Sequence, residues 1–235
     1  MGQLYRAFSD TAVGDQPAGT TLKRASVTGD YTRQDDGADP VLRYRATGGT
    51  AARGLAYDDA VCSGQTEVLV QVRDANASDP ASARAILFAS DSPDNEYGVV
   101  LNTFNDNVVV YRRVNGGFSA IGSASPFGIN TSTYYNLRFQ VTPGSPNQIK
   151  AKLWEEGDIE PSWLLETTDS NLTLSTGWAG HVGFAQSASI FYKFASFGWD
   201  GDPAPTEPVP VGPTTPTGLS TSNITANSFR AGWTP

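Results

Sequence analysis

The sequence predicts an all-β protein whose main part is an antiparallel jelly-roll-like two-sheet sandwich. Three observations predict it: apolar and polar residues alternate in many short runs, turn-forming residues separate these runs at roughly ten-residue intervals, and no sustained helical stripe is present. The 24 glycines and 15 prolines supply many of the turns. Period-two alternation is what a strand with one buried face requires, and many such strands at regular spacing are typical of antiparallel sandwiches.

The predicted strands are best defined in the middle and at the end of this region. In Glu67–Arg73, Val68, Val70 and Val72 share one face. Similar runs occupy Tyr97–Leu101, Val108–Val114, Phe118–Ile121, Asn136–Val141, Ile149–Leu153, Gly180–Ala185 and Ile190–Trp199. Asn115-Gly116-Gly117 tolerates positive φ and predicts a tight hairpin. At most one short helical turn is expected, around Pro80–Ala85.

The composition predicts three segments. Residues 1–199 carry the strand pattern and are predicted to form the sandwich. In residues 200–217 prolines recur without large aromatic residues, which favours an extended polyproline II spacer and predicts a linker. Residues 218–235 return to a strand-like pattern and are predicted to begin a second β domain. Two strands cannot bury a core alone, so we expect the natural protein to continue or these strands to pair with another chain.

Charge and composition exclude several function classes. Sixteen basic and 24 acidic residues give a formal net charge of −8, which repels phosphate backbones and excludes nucleic acid as a partner. No apolar run is long enough to cross a bilayer, so no membrane insertion is expected. Cys62 is the only cysteine, and no intrachain disulfide can form. The first residues lack the pattern of a signal peptide, from which we expect cytosolic assembly or an earlier removal of the signal.

Segments spread over residues 1–199 resemble the concanavalin A-like lectin/glucanase superfamily, especially its laminin-G-like members. They are Phe8–Gly19, Tyr134–Val141, Ile149–Trp154, Gly157–Trp163, Gly180–Phe184 and Phe191–Phe197. The tail resembles the first two strands of a fibronectin type III domain, through Pro213, Pro216, Leu219, Ile224, Ser228, Phe229 and Trp233. The first resemblance implies a lectin-like recognition module and not an enzyme.

The combination of these two modules resembles that of tailed-phage virion proteins. It implies a structural or adhesion protein, such as a tail, fibre or decoration component, assembled in the host cytoplasm and carried on the virion. Its expected partners are other virion subunits or host surface glycans, and a homo-oligomer is expected. The alternative is an extracellular one: a carbohydrate-binding accessory module of a secreted polysaccharide-degrading enzyme.

The strongest candidate for a catalytic motif is the segment Glu156-Gly157-Asp158-Ile159-Glu160. Glucanases of the resembled superfamily carry Glu-x-Asp-x-Glu within a strand, where alternation places the carboxylates on one face for retaining chemistry. Here Gly157 and the following Pro161 interrupt a strand, so the sequence favours an exposed turn. His181, the single histidine, is expected to be a packed or surface residue, and no nucleophile elbow, zinc-ligand cluster or phosphate loop is found.

Two binding hypotheses remain. Asp35, Asp36 and Asp39 are candidate ligands of one structural calcium ion, because clustered loop carboxylates supply the oxygen atoms that calcium prefers. The acidic turns Asp91–Asp94 and Asp200–Asp202 are weaker candidates, solvated acidic turns are the alternative, and no other cofactor is expected. Sugar rings stack on flat aromatic faces. Candidate stacking residues are Trp154, Trp163, Trp178 and Tyr111, with Trp154 expected to point away from the core face; the alternative is that they seal sheet edges or a subunit contact.

Overall fold

The computed structural model describes residues 2–23, 29–46, 51–75, 82–174, 176–185 and 189–208. All regular structure in these residues is β-strand. The strands are β1 (Gly2–Ala7), β2 (Thr20–Lys23), β3 (Gly29–Asp36), β4 (Asp39–Ala46), β5 (Ala51–Val61), β6 (Thr66–Asp74), β7 (Ser82–Asp91), β8 (Asp94–Asn102), β9 (Asn107–Val114), β10 (Gly117–Ala124), β11 (Tyr135–Thr142), β12 (Asn147–Glu155), β13 (Leu165–Asp169), β14 (Trp178–Ala185) and β15 (Ser189–Trp199). Over the described ranges no helix is long and apolar enough to span a bilayer.

The strands form two antiparallel sheets. Sheet A has the order β13-β12-β11-β6-β15-β4-β3, and β1 pairs with the part of β15 beyond β4. Sheet B has the order β10-β9-β8-β7-β14-β5-β2. The two sheets pack face to face, so each has an inner face towards the core and an outer face. The predicted all-β sandwich is confirmed.

The core consists of the inner-face side chains of both sheets. Val68, Val70 and Val72 of β6 belong to the same buried cluster as Leu87 of β7 and Val99 of β8. Each is fully buried. Burying one such side chain contributes about 1.5–3 kcal/mol relative to exposure, so repeated alternation across two sheets supplies the main driving force for folding.

The strands predicted from alternation are confirmed, and so is the hairpin between β9 and β10. Asn115 and Gly116 have φ of 48° and 83°, the left-handed conformation that a tight two-residue turn requires. The helical turn around Pro80–Ala85 is wrong where the structure describes it, because β7 begins at Ser82. Side chains of Ala83, Ala85 and Leu87 alternate into the core there, which is a strand period and not a helical one.

Residues 200–208 of the predicted linker pack on the outer face of sheet A; we call this segment the C-terminal strap. Ala204 is 2% exposed and contacts Leu69, Trp154 and Phe194. Its amide donates a hydrogen bond to Glu67 Oε1 at 2.9 Å. The folded unit therefore extends past Trp199. The remainder of the linker and the fibronectin-like segment at 218–235 lie outside the described residues.

Candidate functional site

A hollow opens on the outer face of sheet B, where β2, β5 and the start of β14 meet. We call it the tryptophan hollow. It has a volume of about 430 Å³ and is lined by Thr21, Lys23, Ala56, Tyr57, Asp58, Ala60, Thr176, Gly177 and Trp178. It is shallow and open to solvent, and the indole of Trp178 is the one tryptophan ring in its lining.

The local sequence explains why the indole lies there. Trp178 is the first residue of β14, which lies between β5 and β7, and the pairing register shifts between Trp178 and Gly180. Such a bulge re-aims a side chain. Gly54 on the neighbouring strand leaves room for the ring, since a Cβ at that position would come within 3.2 Å of the indole Cη2. The ring also packs against the buried outer-face cluster that includes Ile86 and Val182.

Charged and hydroxyl groups form the rim of the tryptophan hollow and are joined by hydrogen bonds and an ion pair. Trp178 Nε1 donates a hydrogen bond to Asp91 Oδ1 at 3.2 Å, and Lys23 Nζ pairs with Asp91 Oδ2 at 2.9 Å. Thr21 Oγ1 donates to Asp58 Oδ1 at 2.7 Å. These contacts orient the indole and place carboxylate, ammonium and hydroxyl groups beside one aromatic surface.

A larger hollow of about 640 Å³ lies at the adjoining edge of the sandwich, and we call it the edge hollow. It is lined by Tyr5, Arg6, Ala7, Ser9, Asp10, Thr11, Ala12, Asp15, Gln16, Pro17, Ala18, Thr20, Tyr57 and Pro208. Arg6 Nη2 pairs with Asp59 Oδ2 at 2.5 Å. Half of the lining residues carry hydroxyl, amide, carboxylate or guanidinium groups, and the other half are alanines, prolines and tyrosines, with Tyr5 partly exposed.

The four aromatic residues predicted to bind sugars lie on two different outer faces. Trp178 and Tyr111 are on sheet B, and Trp178 lines the tryptophan hollow. Tyr111 is 3% exposed, its hydroxyl donates to Glu96 Oε1 at 2.7 Å, and its ring centroid lies 4.8 Å from that of Phe118. Tyr111 therefore offers little free surface for stacking.

Trp154 and Trp163 lie on the outer face of sheet A. Trp154 points away from the core, as the sequence predicts, but it is 6% exposed because the C-terminal strap covers it. Trp163 is partly exposed, and the ammonium of Lys152 lies 4.4 Å from its ring centroid. A ligand at this face would meet one covered indole and one indole already contacted by a lysine.

The calcium predicted at Asp35, Asp36 and Asp39 has no support at this turn. The three carboxylates bind three different basic side chains: Asp35 pairs with Arg33 at 2.8 Å, Asp36 with Arg73 at 2.6 Å, and Asp39 with Lys193 at 2.8 Å. Across the described ranges, no three His, Cys, Asp or Glu side chains are grouped so that they could hold a metal ion.

Asp36 illustrates how the chain itself satisfies these acids. Burial opposes its ionisation, but hydrogen bonds from Tyr134 and Arg73 outweigh burial and lower its pKa. Arg73 of β6 already supplies a cation to this carboxylate, and their ion pair joins β3 to β6.

Glu156 and Glu160 face different partners. β12 ends at Glu155, and residues 156–158 form a turn, as the sequence predicts. Glu156 binds Lys193 Nζ at 2.8 and 3.0 Å, whereas Glu160 binds Lys152 Nζ at 2.6 Å. The two carboxylates therefore do not form the facing acid pair that retaining hydrolysis requires.

The single histidine and the single cysteine are both enclosed in the core. His181 is fully buried, and burial lowers its pKa to about 3. Cys62 is also fully buried, and burial raises its pKa to about 12 although the amide of Phe88 donates to its sulfur at 3.1 Å. A thiol in this state is a poor nucleophile.

Sequence reasoning missed the rim of the tryptophan hollow and all of the edge hollow. Lys23, Asp58 and Thr21 carry no local motif, because β2 and β5 bring them together from distant parts of the chain. Asp91 is notable in the sequence as part of an acidic turn, which suggested calcium; in the structure it binds Lys23 and Trp178 instead.

Comparison with known proteins shows the fold. No protein-family model and no curated protein matches the chain. The carbohydrate-binding module CBM66 from Bacillus subtilis is similar in structure, with a TM-score of 0.52 and 16% identity over 75% of this chain and 94% of that one. A native glycosidic hydrolase gives 0.55 and 10%, covering 83% and 95%. The potassium-bound carbohydrate recognition domain of Emp46p gives 0.54 and 11%, covering 79% and 90%.

At these identities the similarity concerns the fold. The two-sheet sandwich predicted from the sequence is the fold that this chain shares with these neighbours. Two of these three neighbours are named as carbohydrate-binding domains and one as a hydrolase, so the shared fold accommodates both binding and catalysis.

Proposed function

We propose that this chain is a non-catalytic carbohydrate-binding module and that the tryptophan hollow is its binding site. The observation that carries the proposal is the partly exposed indole of Trp178 in a shallow hollow whose rim holds Asp58, Lys23 and Thr21. Sugar rings present apolar C–H faces that pack on an aromatic ring, and their hydroxyls take hydrogen bonds from such polar groups. The fold shared with carbohydrate-binding domains supports the proposal.

The chemistry of the described residues favours binding over hydrolysis. The carboxylates of Glu156 and Glu160 are held in separate ion pairs. Asp91 and Lys23 at the tryptophan hollow are also joined in an ion pair, and this arrangement orients polar groups without leaving a free acid and base in contact.

Isothermal titration calorimetry against the sugars selected on a glycan array tests this function. Trp178→Ala removes the stacking surface, and we expect the affinity to fall at least about tenfold, which corresponds to about 1.4 kcal/mol. Trp163→Ala is the matched control, because it removes a partly exposed tryptophan from the opposite sheet and should leave the affinity unchanged. Equal affinity of Trp178→Ala and wild type would contradict the proposal.

For the biological setting we propose a lectin-like module displayed on a tailed-phage particle, where it contacts host surface glycan or a neighbouring subunit. The fibronectin-like pattern at 218–235 and the proline-rich spacer before it support this setting. The alternative is an accessory module of a secreted polysaccharide-degrading enzyme. Detection of the chain in purified virions by mass spectrometry supports the first setting, whereas a catalytic domain encoded in the same gene supports the second.

A further inference from the structure

We propose that a hollow on the outer face of sheet A is a second binding site, which takes one sugar residue carrying an acetamido group. We call it the amide hollow. It has a volume of about 270 Å³ and is lined by Leu69, Gln71, Asn136, Trp154, Asp158, Glu160, Phe194 and Thr206. It lies on the other sheet from the tryptophan hollow. The choice of a sugar as the carrier of the acetamido group rests on the proposed function.

Strand register builds the floor and two walls of the amide hollow. Asn136 of β11 lies directly opposite Gln71 of β6. On the two sides of this pair, Trp154 of β12 lies opposite Asn136, and Phe194 of β15 lies opposite Gln71. Side chains that are directly opposite on one face lie about 4.5–5.5 Å apart at Cβ. Two amides therefore stand side by side on the floor, with an aromatic residue on each side of them.

The two amides keep hydrogen-bonding capacity that the described residues do not use. Gln71 Nε2 donates to Asn136 Oδ1 at 3.0 Å, whereas Gln71 Oε1 and Asn136 Nδ2 have no partner within the described ranges. Gln71 is 9% exposed and Asn136 is 7% exposed. A buried amide costs free energy until its groups are hydrogen-bonded. The floor therefore offers one acceptor and one donor to a ligand.

An acetamido group matches the floor and the walls together. Its carbonyl oxygen accepts a hydrogen bond from Asn136 Nδ2, its N–H donates to Gln71 Oε1, and its methyl group packs against the rings. The C-terminal strap covers most of Trp154, which is 6% exposed, and Phe194 is 8% exposed. These rings can contact a methyl group but present no broad face for a whole sugar ring, so the amide hollow differs from the tryptophan hollow in what it selects.

The charges at the amide hollow favour a neutral ligand. Glu160 is already paired with Lys152 Nζ at 2.6 Å and with Arg138 Nε at 3.1 Å. Asp158 lies at the rim and is exposed, so its carboxylate can accept a hydrogen bond from a ring hydroxyl. A uronate or sialate group would meet the same carboxylate as a like charge.

The volume limits the ligand to one sugar residue. Small-molecule sites commonly measure about 300–1,000 Å³, and the amide hollow, at about 270 Å³, lies just below that range. The remaining units of a longer saccharide would extend over the exposed rim.

NMR titration of the isotope-labelled full chain tests this site. The probes are N-acetylglucosamine and N-acetylgalactosamine, each compared with glucose or galactose, which carries a hydroxyl in place of the acetamido group. The indole N–H signals of Trp154 and Trp178 report on the amide hollow and the tryptophan hollow separately. We expect at least one acetamido sugar to shift the Trp154 signal with a Kd at least about tenfold lower than that of its hydroxyl counterpart, the effect of two additional hydrogen bonds.

Asn136→Asp removes the donor of the floor but keeps the oxygen that accepts from Gln71 Nε2. It should weaken binding of the acetamido sugar at the Trp154 signal at least about tenfold. Asn105→Asp makes the same change in an exposed turn and is the matched control, which should bind like the wild type. The wild-type titration with the four sugars decides the matter alone if Asn136→Asp does not fold.

Three results would overturn the amide hollow as an acetamido site: no shift of the Trp154 signal with either acetamido sugar, equal affinity for acetamido and hydroxyl sugars, or unchanged binding by folded Asn136→Asp. Tighter binding of glucosamine than of N-acetylglucosamine at this signal would also overturn it, because the site would then select an ammonium group. A response of Trp178 without Trp154 leaves the proposed function standing and removes this second site. A response of Trp154 alone supports the second site and contradicts the role of the tryptophan hollow.

Discussion

At the residue scale, His181 is the most unusual titratable group of the core. Its ring stacks on Tyr192 with centroids 4.1 Å apart, and its Nδ1 lies 3.3 Å from the Tyr57 hydroxyl. Nε2 has no hydrogen-bond partner. Burial lowers the pKa of His181 to about 3, so the folded protein keeps the ring neutral over most of the acid range.

This predicts an acid-dependent loss of stability. The unfolded chain takes up a proton at His181 below its ordinary pKa of about 6.5, whereas the folded chain does so only near pH 3. Stability therefore falls as the pH decreases through that window. Between pH 6 and 5, we expect the free energy of unfolding of the wild type to fall by about 1 kcal/mol more than that of His181→Phe. Urea unfolding at the two pH values measures this, and equal pH dependence would contradict it.

Asp169 connects the two sheets through its carboxylate. It lies on β13 of sheet A, but its carboxylate accepts hydrogen bonds from Tyr97 of β8 at 2.6 Å and Arg112 of β9 at 2.7 Å, both in sheet B. Burial opposes its ionisation, and the hydrogen bonds from Tyr97 and Asn171, together with the charge of Arg112, lower its pKa. Asp169 thus joins the two sheets at one edge of the sandwich.

Asp169→Ala should lower the free energy of unfolding by about 3 kcal/mol, because it leaves Arg112 and the buried Tyr97 hydroxyl without their partner. Glu166→Ala on the same strand is the control. The Glu166 side chain is 58% exposed in its ion pair with Lys150, and its loss should cost less than about 1 kcal/mol. Similar losses for both variants in chemical denaturation would rule out the joining role of Asp169.

At the element scale, the C-terminal strap closes the outer face of sheet A. Three of its contacts involve its backbone: Ala204 N donates to Glu67, while Pro205 O and Pro203 O accept from Ser196 and Gln3. Glu67 also binds Arg138 at 2.6 Å, with both side chains buried. The strap therefore shields a buried ion pair and most of Trp154, which is 6% exposed, whereas Trp178 on sheet B stays partly exposed.

Ala204→Glu should displace the C-terminal strap, since a longer charged side chain cannot fit between Leu69, Trp154 and Phe194. We expect a loss of about 1–3 kcal/mol, the usual cost of overpacking, together with faster amide hydrogen exchange in residues 200–208. Thr206→Glu places the same charge at an exposed position of the strap and should change neither quantity. Wild-type exchange in Ala204→Glu would show that the strap does not depend on this contact.

At the scale of the whole molecule, the sequence predicts the fold well where burial alternates cleanly. β6, β11 and β12 present Val, Leu, Ile, Phe or Ala at every second position, and the pattern identifies them. β3 and β4 escape the same reasoning because their inner faces carry Tyr31 and Tyr44 among charged neighbours. Because tyrosine carries a hydroxyl group, the sequence pattern does not count it as an apolar position even where its ring is buried.

The site is less predictable than the fold for a physical reason. Trp178 could be proposed from its type alone, but whether a tryptophan is exposed depends on what lies over it. Trp154 has the same sequence signal and is covered by the C-terminal strap. The partners of Trp178 come from β2, β5 and the end of β7, and only the pairing of strands distant in sequence reveals them.

A crystal structure of the full chain with its tightest-binding saccharide shows directly whether Trp178 holds the sugar. We expect a sugar ring packed face to face on the indole of Trp178, with carbon atoms within about 4–4.5 Å. A saccharide bound on the outer face of sheet A beside Trp163, with the tryptophan hollow empty, would contradict it.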